Sequence, residues 1–313
     1  MSVNILLNFP TNLGDAILAL PTLDKLKANY PEAKISAIVS PKTKEFFIRN
    51  NFIDEIVMFD KLWKSRQKMR FSLSLRGKYD IIVDLKNSFF PIILGAKLHT
   101  PFIRRFPKNL HIKEKYLKLV GKIAPKKSLE RSEFVLTEDE KARWDSQNLD
   151  KSIFIACGSL SRVKEYPYEN LREVIEYLRK KYKIVILGIE KNRKYYKDIL
   201  SLEGVVDLVG KTEMIDVYYL VSKHAHLILG VDSSLTHLAS YIGIPAIAIF
   251  GPTSYKRSYP WSKDSIILQK NNLECLPCEK AKCVFNHECM KIEPEEVIEA
   301  IEKIMGKIKH ERA

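Results

Sequence analysis

The chain has no apolar run long enough to cross a bilayer, and its first residues lack the basic region, apolar core and small-residue cleavage site of a signal peptide. It also has no internal repeat and no low-complexity tract, which argues against repeat architectures. These absences predict a globular protein that stays in the cytoplasm.

Acidic residues are scarce in one stretch of the sequence. Between Lys61 and Lys127 there are 18 Lys and Arg but only three acids, Asp80, Asp84 and Glu114. This stretch therefore has a net charge of +15, and the rest of the chain has a net charge of −1. Such a run is either a solvated face or a surface for an acidic partner, and the candidates are a nucleic acid, an anionic membrane surface and a phosphorylated substrate.

The 313 residues are 46% hydrophobic and 29% charged, as expected for two globular domains. Short apolar runs alternate with amphipathic segments, which is the pattern of parallel sheets with crossover helices. The predicted strands are NILLNF, KISAIVS, EIVMF, YDIIVDL, SIFIAC, KIVILG, AHLILG and AIAIFG, and the predicted helices are ILALPTLDKLKANY, SPKTKEFFIRN, YENLREVIEYLRKKY and SSLTHLASYIG. We predict an α/β protein of two doubly wound, Rossmann-like domains, residues 1–145 and 150–313, with a polar linker near 126–150 and a ligand cleft at the carboxyl ends of the strands.

Two polar turns follow predicted strands of the second domain. In AHLILGVDSSLTHLASYIG, Asp232, Ser233 and Ser234 are candidate N-caps of a helix that carries His237 on its first or second turn. The free N–H groups and positive dipole end of such a helix favour an anion, for example a diphosphate. Capping alone would also explain these residues, but the next strand ends in a similar turn, Gly-Pro-Thr at 251–253, and two such turns favour a ligand site.

Three segments of the sequence resemble the motifs of one protein family. GVDSSLTHLASYIGIPAIAIFGPTS resembles the family's D-[ST]-G-x-x-H-L-A segment and the Gly-Pro-Thr turn after it, NFPTNLGDAILALPTLDKLKANYPEAKISAIV resembles its N-terminal Gly-Asp segment, and CGSLSRVKEYPYENL resembles its middle motif of a lysine before an aromatic-Pro pair. The three segments keep the family's order between residues 8 and 254, and on these motifs the chain resembles glycosyltransferase family 9, the heptosyltransferases. One departure is Ser234, where the family usually has the glycine that lets the backbone approach a diphosphate.

The resemblance implies the GT-B fold and transfer of a sugar with inversion at the anomeric carbon, typically heptose from ADP-heptose to the inner core of lipopolysaccharide. It assigns Asp15, in the Gly-Asp turn, as the general base that takes the proton from the acceptor hydroxyl. The alternative for Asp15 is an acid placed in the first turn of a helix because the dipole favours it there.

On the donor side the resemblance assigns Lys164 to the charge of the leaving diphosphate, with Ser159 as a phosphate contact. Glu190 would accept hydrogen bonds from the ribose diol, and Met214 would line the adenine pocket. Exposed surface is the alternative for Lys164 and Glu190, and plain core is the alternative for Met214. The chemistry needs no divalent metal, because fixed donors can replace Mg²⁺ on the diphosphate.

The basic stretch lies in the domain that the resemblance assigns to the acceptor. We expect Arg104 and Arg105 to contact an acidic lipid-linked oligosaccharide, or the anionic inner-membrane surface at which the protein would be peripheral. The alternatives are a transferase for another nucleotide sugar, a protein that binds a nucleotide sugar without transferring it, and a nucleic-acid-binding protein. None of the named nucleic-acid-binding motifs is present, so nucleic acid is the least favoured partner.

Four of the five cysteines form a cluster near the end of the chain. Cys275, Cys278, Cys283 and Cys289 have the spacing C-x₂-C-x₄-C-x₅-C. Four thiolates so spaced can converge on one tetrahedral ion, and the resemblance allows zinc or iron, which would be structural. Reduced thiols and two disulfides are the alternatives.

The segment EPEEVIEAIEKIMGKIKHER predicts an amphipathic helix over 294–310. In GT-B proteins such a helix often returns to the first domain. We therefore expect this terminal helix to brace the first domain.

Overall fold

The computed structural model describes residues 3–128 and 130–310 of the chain. The chain divides into two compact units, Met1–Val135 and Leu136–Ala313, and each unit contains one parallel β-sheet.

The strands of the first unit are β1 (Asn4–Asn8), β2 (Lys34–Val39), β3 (Glu55–Met58), β4 (Ile81–Asp84) and β5 (Leu98–His99). Its helices are α1 (Leu13–Leu18), α2 (Leu20–Asn29), α3 (Lys44–Phe47), α4 (Ser65–Leu75), α5 (Phe90–Leu94) and α6 (Ile112–Leu119). The strand order is β3-β2-β1-β4-β5, and every neighbouring pair is parallel. The prediction of a doubly wound sheet is confirmed for this unit.

The predicted helix ILALPTLDKLKANY is divided between α1 and α2, which meet at Ala19. Pro21 causes the division, because it occupies the second position of α2 and has no N–H to continue the hydrogen bonding of α1. The division makes α1 a short helix directly after β1, and α1 carries Asp15 in its first turn.

Helices α4 and α5 cover one face of this sheet. Helix α4 connects β3 to β4 and α5 connects β4 to β5, so both connections cross the sheet in the same direction, and right-handed crossovers place both helices on a common face. Their inward side chains Leu75, Phe90 and Leu94 form a buried cluster with three strand residues, Leu6, Ile38 and Ile82.

The strands of the second unit are β6 (Ser152–Ala156), β7 (Ile184–Leu187), β8 (Val205–Asp207), β9 (Ala225–Val231), β10 (Ala246–Ile249) and β11 (Ile266–Leu268). Its α-helices are α7 (Glu138–Asp145), α8 (Tyr168–Leu178), α9 (Lys197–Leu200), α10 (Met214–His224), α11 (Ser234–Ile242), α12 (Tyr255–Ser258) and α13 (Pro294–His310). Three 3₁₀ turns span Arg162–Lys164, Glu190–Asn192 and Glu288–Met290. The strand order is β11-β10-β9-β6-β7-β8, again entirely parallel.

The chain direction across each sheet reverses at one point, between β1 and β4 in the first unit and between β9 and β6 in the second. Helices leave in opposite directions at such a point and open a crevice at the carboxyl ends of the two strands, where ligands of open α/β sheets bind. The fold therefore marks two places for functional residues, and each can be described within its own unit.

The observed division between the units falls after Val135, ten residues before the predicted end of the first domain at 145. Helix α7, which the sequence placed in the linker, packs on the second unit. The indole N–H of the buried Trp144 donates a 2.8 Å hydrogen bond to Asp216 of α10. This contact attaches α7, at the start of the second unit, to α10.

The terminal helix α13 packs against α8, β9 and β10 of its own unit through buried Val297, Ile301 and Ile304. Glu302 also accepts a hydrogen bond of 2.8 Å from Lys181. The predicted helix is confirmed, and its bracing of the first domain stays a prediction. In the part of the chain that the structure describes, none of the helices combines the length and apolar character needed to cross a membrane.

Candidate active site

Asp232 is the centre of a polar cluster at the switch point of the second unit. It directly follows β9, and its side chain is only 9% exposed. Its carboxylate accepts hydrogen bonds from Lys164 Nζ at 2.6 Å, Thr253 Oγ1 at 2.9 Å and Ser258 Oγ at 2.9 Å. His237 Nε2 lies 3.6 Å from the same carboxylate. The cluster thus joins the segments that follow β6, β9 and β10.

Asp232 is ionised in this environment. Burial opposes the charge, but Lys164, His237 and the Ser258 hydroxyl together hold the pKa of Asp232 below its usual value. A buried carboxylate with these partners fixes the direction of the Lys164 side chain, whose ammonium group stays partly exposed. Lys164 is therefore a positioned cation at the edge of the sheet, available to an anionic ligand.

Helix α11 begins beside this cation. Ser233 is the N-cap residue, Ser234 is the first helical residue and the buried His237 lies one turn further on, so the predicted start of this helix is confirmed. The Ser233 N–H donates to Thr236 Oγ1 at 3.3 Å, while the buried Ser233 Oγ has no hydrogen-bond partner among the described residues. The first backbone N–H groups of the helix have no partner within the helix, so they and the Ser233 hydroxyl are suited to an oxyanion.

Asp232 was one of three candidate N-caps, but in the structure it does not cap the helix. It precedes the N-cap residue, and its carboxylate accepts hydrogen bonds from Lys164, Thr253 and Ser258. The sequence could not show this pairing, because Lys164 and Asp232 are 68 positions apart. Ser258 was missed entirely, since a serine in SYKRSYP has no local signal of function.

Ser159 closes the loop after β6. Its N–H donates to Glu165 Oε1 at 3.3 Å, and its Oγ accepts the Ser161 N–H at 3.1 Å. These two hydrogen bonds fix the conformation of the loop between β6 and Lys164.

Glu190 lies in the 3₁₀ turn after β7, where its side chain packs on the backbone of Gly210. A Cβ atom on Gly210 would lie 2.1 Å from Glu190 Oε2, and Gly210 has a φ of +68°. Arg193 holds the carboxylate with a 3.1 Å hydrogen bond and is itself bound to Asp207 at 2.7 Å. Glu190 is thus an oriented carboxylate that remains mostly exposed.

The same turn approaches the loop after β6. A Cβ atom on Gly158 would lie 1.9 Å from Asn192 Nδ2, so only glycine permits this contact. Met214, the first residue of α10, is partly exposed where the chain continues beyond Gly210. Asn192 and the two glycines were not predicted as site residues, and the positive φ values at Gly158 and Gly210 become visible only in the fold.

Asp15 lies at the switch point of the first unit, in the first turn of α1 and partly exposed. Tyr116 of α6 and Arg104 lie nearby. Burial raises the pKa of Tyr116, the carboxylate of Asp15 raises it further, and the positive charge of Arg104 opposes the rise. The base predicted from the sequence therefore has a phenol and a guanidinium in its electrostatic neighbourhood.

Arg104 is not the exposed contact that a basic stretch suggests. Its side chain is 10% exposed, and Nη2 donates a 2.6 Å hydrogen bond to the Asp84 carbonyl and lies 3.5 Å from Asp84 Oδ2. Asp84 is fully buried and also accepts from Asn8 Nδ2 at 2.7 Å and from the Ser88 N–H at 2.6 Å. Arg105, in contrast, is exposed. The two arginines that the sequence treated as equivalent have different environments.

The four clustered cysteines line one cavity in the segment before α13. Burial raises the pKa of Cys289, and the other three thiols add to the rise because they lie close to it. Cys283 Sγ accepts the N–H groups of Phe285 and His287, each at 3.4 Å. All the thiols are free of disulfides.

The donor set of the four thiols is of the kind that zinc and iron prefer, and backbone N–H groups directed at a sulfur stabilise its thiolate. Yet nowhere in residues 3–128 and 130–310 are three or more His, Cys, Asp or Glu side chains arranged to hold an ion. The chemistry of the cluster fits a metal, and the arrangement of its sulfur atoms does not supply a formed site.

The chain belongs to a known class of enzyme. Residues 68–288 match the model of glycosyltransferase family 9 (heptosyltransferase). The match covers more than two thirds of the chain, so the protein belongs to this family and is a glycosyltransferase.

Individual relatives agree with the family. A lipooligosaccharide heptosyltransferase 2 of Campylobacter jejuni is 26% identical over 318 residues, which cover 96% of this chain and 99% of that protein. Lipopolysaccharide heptosyltransferase 3 of Escherichia coli is 24% identical over 332 residues, 93% of this chain and 95% of that protein. The solved structure of the E. coli ADP-heptose lipopolysaccharide heptosyltransferase II aligns with a TM-score of 0.78 and 21% identity, over 98% of this chain and all of that one. This likeness confirms the predicted fold class, two Rossmann-like domains of the GT-B kind.

Proposed function

We propose that the protein is an inverting heptosyltransferase that transfers heptose from ADP-heptose to the core of a lipopolysaccharide or lipooligosaccharide. The family and the names of the relatives support the sugar and the acceptor class. The observation that carries the proposal is the pairing of Lys164 with ionised Asp232 beside the start of α11.

The donor diphosphate binds at this pairing. The acceptor oxygen attacks the anomeric carbon, the bond from that carbon to the diphosphate oxygen breaks, and ADP leaves with an additional negative charge. Lys164, the first N–H groups of α11 and the Ser233 hydroxyl offset that charge, and each preorganised donor is worth about 3 kcal/mol of the barrier. A single displacement of this kind inverts the anomeric carbon.

Asp15 takes the proton of the acceptor hydroxyl during the attack. Its position after β1, at the switch point of its sheet, is one that ligands reach. The charges of Asp15 and Arg104 both act on the Tyr116 hydroxyl, so a phenol and a guanidinium lie near the proposed base.

The nucleoside of the donor is held by the turn after β7 and the start of α10. Glu190, oriented by Arg193, accepts hydrogen bonds from the ribose diol, and Met214 contacts the adenine ring. Ser159, in the shaped loop after β6, contacts the phosphates.

The charge of the first unit suggests which partners the protein binds. An acidic, lipid-linked oligosaccharide suits the first unit, which contains the stretch with a net charge of +15, and the anionic inner-membrane surface suits it for the same reason. The protein would work in the cytoplasm as a peripheral protein of that surface, and the transfer itself needs no metal.

An assay of nucleotide release tests the proposed transfer directly. We expect ADP to appear when the protein meets ADP-heptose and a core-oligosaccharide acceptor, and a product one heptose heavier, with inverted anomeric configuration, to accumulate. Faster turnover of another nucleotide sugar would reassign the donor, and donor binding without any release of nucleotide would make the protein a binder instead of a transferase.

Asp15→Asn tests the base. The amide keeps the size of the side chain but cannot accept the proton, so turnover should fall by about 10² to 10⁴ while ADP affinity stays nearly unchanged. Lys164→Ala is the contrasting variant, because it should weaken donor binding as well as slow transfer. Near-normal turnover of Asp15→Asn would remove Asp15 from the mechanism.

A further inference from the structure

The outward face of α4 and α5 in the first unit has an unusual composition. The inward residues of these helices already complete the core over the sheet. The outward side chains are therefore not required for packing, yet they include large apolar groups: Met69 and Leu73 on α4, Phe89, Ile92 and Ile93 at α5, and Ile103 in the segment that follows β5.

We call these six residues the exposed apolar face. They lie in a part of the sequence where exposed hydrophobic residues are unusually frequent. Nine of the seventeen large hydrophobic side chains that are exposed in the described part of the chain lie between residues 58 and 103. Phe89 is 71% exposed and Ile92 is 62% exposed. Single exposed apolar residues are ordinary in soluble proteins, but a concentration of them marks an interaction surface.

The exposed apolar face is structurally supported. The N–H of Gly77, just after α4, donates a 3.1 Å hydrogen bond to the carbonyl of Leu94 at the end of α5. Beneath the two helices Phe59 contacts Phe71 and Phe90, with ring centroids 5.2 Å and 5.6 Å apart. At the start of α5, Phe89 lies 6.2 Å from Phe102 and so adjoins the segment of Ile103. The six apolar side chains therefore project from a packed layer.

The part of the chain that contains this surface is rich in positive charge. Helix α4 carries Arg66, Lys68 and Arg70 and contains no acid. The stretch from Lys61 to Lys127 has a net charge of +15. A nucleic acid would account for the charge but gains nothing from isoleucines that point into solvent. A helical face with both apolar and basic groups is suited to an anionic bilayer surface. The lipid headgroups attract the cations, and the boundary of the acyl chains accepts the apolar side chains.

We propose that the exposed apolar face inserts into the interface of an anionic lipid bilayer. This rests on the proposed location of the enzyme at the inner membrane and deepens it. A purely electrostatic contact would be screened by salt, whereas an inserted face keeps a component of binding that salt does not remove.

Vesicle binding of the full chain tests the inference. Vesicles of phosphatidylcholine, with and without phosphatidylglycerol, are sedimented with the protein at low salt and at about 0.5 M salt, where the screening length is only a few ångströms. We expect binding to require phosphatidylglycerol at low salt and to persist in part at high salt. The double variant Phe89→Ser, Ile92→Ser should lower the partition coefficient about tenfold or more and abolish the salt-resistant part.

The matched control is Ile48→Ser, Val135→Ser, which removes two similarly exposed aliphatic side chains of the same unit outside the face. The control should bind like the parent protein. Phe89→Trp, in addition, should be quenched by brominated lipids, and Ile48→Trp should not. Parent-like binding by Phe89→Ser, Ile92→Ser, an equal loss in the control, or a preference for a short RNA duplex over the vesicles would each overturn the inference.

The outcome can be separated from that of the proposed function. Transfer to a lipid-free core oligosaccharide does not use the membrane, so Phe89→Ser, Ile92→Ser should keep normal turnover with that acceptor. Absence of turnover in the parent protein would reject the heptosyltransferase proposal and leave the vesicle result intact.

Discussion

Lys164 and Asp232 illustrate how one residue can define the role of another. An isolated lysine in a loop is normally a solvated cation, and an aspartate before a helix is normally a cap. Here the carboxylate is buried, ionised and bound by two hydroxyls, so it holds the ammonium group at one place. In the proposed mechanism Asp232 is therefore a positioning residue, and Lys164 is the group that would meet the donor.

Arg104 and Arg105 lead to a prediction from their different environments. Arg104→Gln should lower the free energy of unfolding by about 2 kcal/mol or more, because it removes a nearly buried cation from the fully buried Asp84. Arg105→Gln should change stability by less than about 0.5 kcal/mol, as exposed substitutions usually do. Urea unfolding of both variants measures the difference.

The same two variants also test the proposed contact of Arg105 with the acceptor. Since Arg105→Gln is expected to fold normally, any loss of acceptor affinity reports on binding, and it should be larger at low salt. Equal stability of the two variants would contradict the environment described for Arg104.

At the scale of elements, the eight predicted strands are all present, because parallel strands buried on both faces read as continuous apolar runs. Strands β5, β8 and β11 were missed, since they have only two or three residues. Helix α4 was not predicted either, because its exposed side has apolar residues where an amphipathic pattern requires polar ones.

The candidate site was predictable to the extent that local sequence determines it. The strand before Asp15 and the helix start at Ser233 are as predicted, whereas α1 begins at Leu13, before the predicted helix start at Ile17, and therefore includes Asp15. Which side chains meet across the sheet was not predictable, because the contacts of Asp232 with Ser258 and of Asn192 with Gly158 depend on strand order.

The turn at Gly210 provides a test of the ribose contact. Gly210→Ala forces a side chain into the left-handed region and against Glu190, whose Cα would be 2.9 Å from the new Cβ. ADP affinity should fall about tenfold or more, since a hydrogen bond to a charged group is worth about 1.5 kcal/mol or more. Isothermal titration with ADP measures the change.

Gly77→Ala is the matched control. Gly77 has a nearly equal φ of +72°, but among the described residues nothing lies within 4 Å of the position that a Cβ atom would take. Both variants should lose about 1 kcal/mol of stability from backbone strain, and only Gly210→Ala should lose ADP affinity. Equal ADP affinity in both variants would remove Glu190 from the nucleoside site.

The cysteine segment yields a prediction about metal. We propose that the four thiols hold one structural zinc or iron ion, which would fix the segment between β11 and α13. Anaerobically purified protein should contain about one ion per chain, the number that a four-thiolate tetrahedral site holds. Cys278→Ser should lose both the ion and thermal stability.

Cys157 supplies the control for that experiment. It is a buried thiol outside the cluster, and burial raises its pKa to about 12. Cys157→Ser should therefore keep the metal content of the parent protein. Folded protein with four titratable thiols in the cluster and no metal would reject the proposal.

At the scale of the whole molecule, charge and proposed function divide along the same boundary. The proposed donor residues lie in Leu136–Ala313, whereas Asp15 and the whole stretch from Lys61 to Lys127 lie in Met1–Val135. Binding of ADP and binding of polyanions should therefore be separable within one chain.

Hydrogen exchange of the full protein with ADP tests this division. We expect slower exchange in the four segments after β6, β7, β8 and β9, namely 157–164, 188–193, 208–214 and 232–237, because bound nucleotide removes backbone N–H groups there from solvent. Residues 61–127 should exchange as they do without ADP, since a polyanion surface has no particular affinity for adenosine. Lys164→Ala should reduce the protection at equal ADP concentration, whereas Arg105→Gln should leave it unchanged. Protection confined to the basic stretch would mean that ADP binds only as an anion, and the donor site assigned to the second unit would then be wrong.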